Sequence, residues 1–242
     1  MQQIELELAG GGVLTVSLRA SLDAMPAVKE RPLVLVVPGG GYDHVSPREG
    51  DPVALQFAAA GYHTAVLTYS VGEGAQNYQP LRQLNEALAL LRQNAGEWHI
   101  LPDQIAVCGF SAGGHLALSG AVLNIPGETA QQRPNAVILG YPVVTAGEFA
   151  HRGSFVRLAG SEDAAAQQAF TLEDKTVPVE NTLLLLAALR RAGVPCEAHL
   201  FEKGAHGTSI STAEVDAADP HRAHWVALCL EWLGETFGFK LS

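Results

Sequence analysis

Cysteine is scarce in this chain of 242 residues. There are three, Cys108, Cys196 and Cys229. Their odd number, wide spacing and lack of any CxxC pair argue against a disulfide framework and against a thiolate metal site. Positive charge is also short, with 15 Lys and Arg against 25 Asp and Glu and a net charge of −10. Nucleic acid and anionic membrane both call for clustered basic residues, so neither is an expected partner. The longest strongly apolar run, Leu183 to Leu189, is far too short to span a bilayer. Met1-Gln2-Gln3-Ile4-Glu5 has no basic region leading into an apolar stretch, so no secretory signal is visible. These absences predict free thiols and a cytoplasmic protein.

What is present is a core-forming composition, 48% hydrophobic and 17% charged, which suits one compact domain over residues 1–242. Ile4 to Leu8 and Val13 to Leu18 alternate polar with apolar around Gly10-Gly11-Gly12 and predict an antiparallel hairpin. Leu33 to Val37, His63 to Tyr69, Ile105 to Cys108, Ala136 to Leu139 and Cys196 to Phe201 read as strands. Between and after them, helical patterns cover Asp51 to Ala60, Pro80 to Ala95, Gly113 to Leu123, Glu180 to Ala192 and Pro220 to Phe237. Alternation of strand and helix predicts an α/β fold with a mostly parallel sheet covered on both faces.

Residues 109 to 113 read Gly-Phe-Ser-Ala-Gly, directly after an apolar strand and before a helix. That arrangement holds Ser111 on a tight turn at the tip of a sheet, with small residues where strand and helix approach each other. Serine needs a base, a group that orients the base, and donors for the developing oxyanion. Pro38-Gly39-Gly40-Gly41-Tyr42 follows an earlier strand, and the N–H groups of Gly40 and Gly41, with that of Ala112, are the candidate donors. The loop matches neither a GxxxxGK[ST] phosphate cradle nor GxGxxG. His206, in Gly204-Ala205-His206-Gly207 beyond the last predicted strand, is the candidate base. Between Ser111 and His206 in chain order, Asp174 fits the orienting acid best and Asp163 next. Tyr42, His44 and Arg48 fall where a substrate rim is expected, and packing of that loop is an equal use for them. His221 and His224 stand at i, i+3, but with no third ligand nearby no metal is expected.

Together these segments resemble the α/β-hydrolase superfamily, and within it the small bacterial acetyl xylan esterases and lipase/esterase-like carbohydrate deacetylases. The marks are Val37 to Tyr42, Val45-Ser46-Pro47-Arg48-Glu49-Gly50, Val107 to His115, Tyr141-Pro142-Val143, Val177 to Asn181 and Gly204 to Gly207. The resemblance implies an α/β-hydrolase fold with Ser111 as nucleophile, His206 as base and Gly40, Gly41 and Ala112 as oxyanion donors. It also implies a small ester substrate such as an acetylated sugar, and no cofactor. Pro38 stands where many relatives carry a histidine. The strand that should lead into the acid is missing or reduced: residues 161–173 read as a helix running into a loop, with at most Phe170-Thr171-Leu172 as a strand stub. That shortening predicts that Cys196 to Phe201 packs beside Ala136 to Leu139, and it raises a second reading, a degenerate hydrolase. Amide hydrolysis on the same triad is a third. The open sheet edge allows a homodimer.

Overall fold

The computed structural model describes residues 1–20, 28–123, 132–160 and 176–241. Six strands form one sheet: β1 (Gln2–Glu7), β2 (Val13–Leu18), β3 (Arg31–Val37), β4 (His63–Thr68), β5 (Ile100–Phe110) and β6 (Ala136–Gly140), in the order β1-β2-β4-β3-β5-β6. β1 and β2 pair antiparallel, and β2 runs antiparallel to β4, with Val16 opposite Ala65. The remaining pairs are parallel, with Leu33 opposite His63 on β4 and Ile105 on β5, and Cys108 opposite Ile138 on β6. Every residue of β3 is buried, as expected for a central parallel strand with both faces covered.

Helices cover both faces. α2 (Gln79–Gln93) and α4 (Ala112–Val122) lie over one face, where Leu81, Leu84, Leu88 and Leu91 of α2 recur at helical spacing and join Leu14, Leu35, Val107 and Leu116. Each such buried leucine contributes about 2 kcal/mol of transfer free energy. α1 (Asp51–Ala59) and α7 (Pro220–Phe237) lie over the other, where Phe57, Leu233 and Phe237 meet Val34, Val36 and Phe110. Asp219 caps α7, its carboxylate accepting from the His221 and Arg222 amides. The short α3 (Ala95–Trp98), α5 (Arg152–Ala159) and α6 (Glu180–Arg191) complete the described helices. No helix among the described residues is long and apolar enough to cross a membrane.

Two expectations are corrected. Among the described residues Cys196 to Phe201 pairs with no strand: residues 194–201 carry no ladder hydrogen bonds there, and Cys196 and Leu200 are exposed. Among the described residues β6 is the last strand of the sheet, paired only with β5. A strand exists by pairing, and among the described residues this β-prone sequence has no neighbour in register. α5 was not anticipated, because Arg152 to Ala159 is short and interrupted by Gly153. The 161–173 segment and its Phe170-Thr171-Leu172 stub lie outside the described residues.

Candidate active site

Ser111 joins β5 to α4 with φ 52° and ψ −119°, a conformation that side chains rarely adopt. Its amide donates to the Gly140 carbonyl at 3.0 Å, and its own carbonyl accepts from His115 at 3.1 Å and Val143 at 3.1 Å. The turn is thus over-determined by the main chain on both sides. The flanking glycines are required by space. A Cβ on Gly109 would stand 2.3 Å from the Gly113 carbonyl oxygen, and one on Gly113 would stand 2.1 Å from that of Val37. Strand β3 therefore passes directly beneath the start of α4.

The chain leaving β3 forms the glycine loop beside this elbow. Its main-chain groups are fixed one by one. Tyr69 Oη donates to the Pro38 carbonyl at 2.7 Å. The Gly39 amide donates to Glu49 Oε2 at 2.8 Å, and the Gly39 carbonyl accepts from Ser46 at 3.0 Å. The Gly40 carbonyl accepts from Asp43 and His44. Gly40 has φ 121° and Gly41 φ 64°, and a Cβ on Gly40 would fall 2.0 Å from the His44 carbonyl oxygen. Among the described residues no acceptor pairs with the amides of Gly40, Gly41 or Ala112. A Cβ on Gly39 would stand 2.9 Å from Ser111 Cβ, so this loop is in contact with the serine.

His206 arrives from the loop that precedes α7. Its Nε2 lies 2.8 Å from Ser111 Oγ. The loop is held by Ser209, whose amide donates to Tyr141 Oη at 2.9 Å, whose hydroxyl donates to the Arg48 carbonyl at 2.6 Å, and whose carbonyl accepts from Trp225 Nε1 at 2.9 Å. The Tyr141 ring meets the His206 ring at a tilted 64° with centroids 4.8 Å apart. Serine, imidazole and glycine amides thus gather at the carboxyl ends of β3, β5 and β6, where ligand sites of open α/β sheets form.

The structure separates the expected rim residues. Tyr42 is a correction: it is 1% exposed, its hydroxyl is hydrogen-bonded to His115 Nδ1 at 2.9 Å, and its ring packs on Tyr69 and His115. It packs the glycine loop and offers almost no surface to a ligand. His44 and Arg48 are exposed at the edge of the site, His44 beside Asp43 and Arg48 reaching the Val215 carbonyl. Asp174 and Asp163 lie outside the described residues.

Comparisons with known proteins identify the fold family. The structure superposes on MGS-M1, an α/β-hydrolase enzyme from a Medee basin deep-sea metagenome library, with TM-score 0.81, 33% identity, and coverage of 98% of this chain and 99% of that one. This chain belongs to the α/β-hydrolase family. The BD-FAE family model matches residues 23–137. An acetyl ester-xyloside bifunctional hydrolase from Caldicellulosiruptor lactoaceticus is 33% identical at TM-score 0.79, over 95% of this chain and 89% of that one. An acetylxylan esterase of Xylanibacter ruminicola is 29% identical over 203 residues, 74% of this chain and 41% of the relative. The chain spans well under half the length of the first curated relatives it matches.

In this α/β-hydrolase the sequence reading assigned no role to two residues at the centre of the site. Glu49 is 3% exposed and uses both carboxylate oxygens, Oε2 on the Gly39 amide and Oε1 on the Tyr141 hydroxyl at 2.7 Å. Tyr141 holds a positive φ of 37° directly after β6, and burial, with Glu49 beside it, pushes its phenol well above the ordinary tyrosine range. Both stand inside segments that carry the family resemblance. An acid between Pro-Arg and Gly at a helix start reads as a solvated turn unless its burial is known.

Proposed function

We propose that the protein is a serine carboxylic-ester hydrolase that removes short acyl groups, acetyl foremost, from a small or carbohydrate substrate. The observation that carries the reading is the 2.8 Å contact between Ser111 Oγ and His206 Nε2 beside glycine-loop amides that have no acceptor among the described residues. Ser111 gives its proton to His206 Nε2 as Oγ bonds to the ester carbonyl carbon. The carbonyl oxygen, now negative, is held by the N–H groups of Ala112, Gly40 and Gly41. Collapse expels the alcohol, which takes the proton from His206, and leaves an acyl-serine. Water, deprotonated by His206, attacks that acyl group, and the proton returns to Ser111 as the acid departs.

Acetyl and sugar specificity are supported by the acetyl ester-xyloside hydrolase and the acetylxylan esterase among the relatives. The orienting acid is assigned to Asp174, with Asp163 as the alternative, and His44 and Arg48 are assigned to the substrate rim. The test is labelling by a fluorophosphonate, located by peptide mass, beside p-nitrophenyl acetate turnover in wild type and Ser111→Ala. Serine-dependent label and turnover support the reading. A protein that takes no label and turns nothing over is a hydrolase fold without catalysis. Faster cleavage of a matched acetanilide than of the ester would move the assignment to amide chemistry. Asp174→Asn and Asp163→Asn, compared in the same assay, identify the acid by the larger loss.

A further inference from the structure

We infer that Glu49 is a positioning residue that ties the oxyanion loop to the general base through Tyr141; the inference rests on the ester-hydrolase reading above. Glu49 lies in the 3₁₀ turn Pro47–Glu49, just before α1, and its carboxylate is buried. Burying a carboxylate is costly unless its oxygens are used. Here neither is used by a cation: among the described residues no Lys, Arg or His pairs with Glu49. The partners are the Gly39 amide at 2.8 Å and the Tyr141 hydroxyl at 2.7 Å. One partner belongs to the glycine loop. The other packs against the His206 ring and accepts from the Ser209 amide in the loop that carries His206.

This connection fixes two separate segments against one rigid side chain. Holding the Gly39 amide inward sets the plane of that peptide, and the amides that follow it are the ones free to meet an oxyanion. Holding the Tyr141 hydroxyl sets the ring on which the imidazole rests. Preorganised donors and a correctly placed base act in the transition state, so loosening them lowers kcat more than it alters KM. The chemistry of the partners explains why the residue is an acid. Both are donors, and a carboxylate accepts at both oxygens. A carboxamide accepts at one end only, so with its oxygen on the Gly39 amide it turns an N–H towards the Tyr141 hydroxyl, which must reverse from donor to acceptor. Glu49→Gln therefore keeps the volume and replaces a charge-assisted link to Tyr141 by a weaker, reversed one.

The test measures kcat and KM for p-nitrophenyl acetate per fluorophosphonate-titrated serine, with the inhibition constant for phenylboronic acid, whose tetrahedral serine adduct uses the oxyanion donors. The proteins are wild type, Glu49→Gln, Tyr141→Phe and the double variant. Glu49→Gln should lower kcat by about tenfold or more, weaken boronate inhibition in proportion, and leave KM within about threefold. Tyr141→Phe should lower kcat in the same direction, and the double variant should be little worse than the poorer single one. Glu49→Gln within about twofold of wild type per titrated site overturns the inference, as do losses that multiply in the double variant. Should Glu49→Gln not fold, Tyr141→Phe decides alone, by the same twofold limit. A wild type without turnover overturns the parent reading and this inference together, whereas an active wild type with indifferent variants overturns this inference only.

Discussion

Gly109 and Gly113 face each other across the serine turn so closely that a Cβ on the first would lie 2.3 Å from the carbonyl oxygen of the second and 2.8 Å from Ala117 Cβ. No side-chain rotation relieves a contact with backbone oxygen, so strand and helix must separate to admit even a methyl group. Gly109→Ala should destabilise the fold by about 3 kcal/mol, the upper range of overpacking costs. It should also slow fluorophosphonate labelling at Ser111, because the turn that presents the hydroxyl is displaced. Urea denaturation and labelling rate measured on one preparation check both.

Acid should destabilise the fold through two buried histidines. Burial holds the imidazoles of His63 and His115 down to about 4. His63 accepts the Arg19 amide at Nδ1 and meets the His99 carbonyl at Nε2, and His115 Nδ1 meets the Tyr42 hydroxyl. An unfolded histidine takes its proton near 6.5, whereas these two take theirs only near 4. Between those values the unfolded chain binds more protons, so stability falls as pH falls through that window and levels off below it. The expected loss is on the order of 3 kcal/mol per histidine. Urea titrations at intervals from pH 7 to 4 measure it, and His63→Gln should flatten the slope. A stability that does not change over that range would refute the assignment.

How much of this was legible in the chain differs by element. The serine turn was plain, because only small residues fit where β3, β5 and α4 meet, and the sequence has to carry them. The glycine loop was plain for the same reason: Gly40 and Gly41 occupy positive φ. The pairing of His206 with Ser111 at 2.8 Å followed from chain order, although no strand leads into His206 among the described residues. Tyr42 misled, because exposure is set by what folds over a residue, and here Tyr69, His115 and the 3₁₀ turn Gly72–Tyr78 close around it. Cys196 to Phe201 misled because β-propensity speaks for a pleated surface with neighbours, and a neighbour is not a local property. Glu49 was not recognised as buried, since its partners Gly39 and Tyr141 are 10 and 92 residues away.

Tyr42 and Arg48 should therefore respond differently to substitution. Tyr42→Phe removes a buried hydrogen bond to His115 and keeps the ring, so it should cost about 1 kcal/mol of stability and leave KM for sugar acetates unchanged. Arg48→Ala and His44→Ala remove exposed polar side chains at the site's edge. They should raise KM for an acetylated xyloside by about 3- to 10-fold, with kcat for p-nitrophenyl acetate little affected. Steady-state kinetics on both substrates separates the roles. A large KM effect in Tyr42→Phe would return that residue to the rim.

Asn181 should be among the most sensitive positions outside the reacting groups. Its side chain is fully buried at the start of α6. Oδ1 accepts from the Val144 amide at 2.8 Å and the Thr145 amide at 3.1 Å, while Nδ2 donates to the Phe149 carbonyl at 2.9 Å and the Pro178 carbonyl at 3.1 Å. One carboxamide thus satisfies four main-chain groups and fastens α6 to the loop that follows β6. Asn181→Ala leaves those groups without their partner and should cost about 2–3 kcal/mol. Asn181→Asp is the sharper test. It keeps the size and the acceptor but replaces the two donated bonds by a negative charge facing two carbonyl oxygens, so it should destabilise at least as much at pH 7 and recover in part as acid protonates the carboxyl. Thermal denaturation of variant and wild type at pH 7 and pH 5 decides it, read as the gap between the two proteins at each pH. An Asn181→Asp protein as stable as wild type at pH 7 would mean that the α6 anchor is not held in this way.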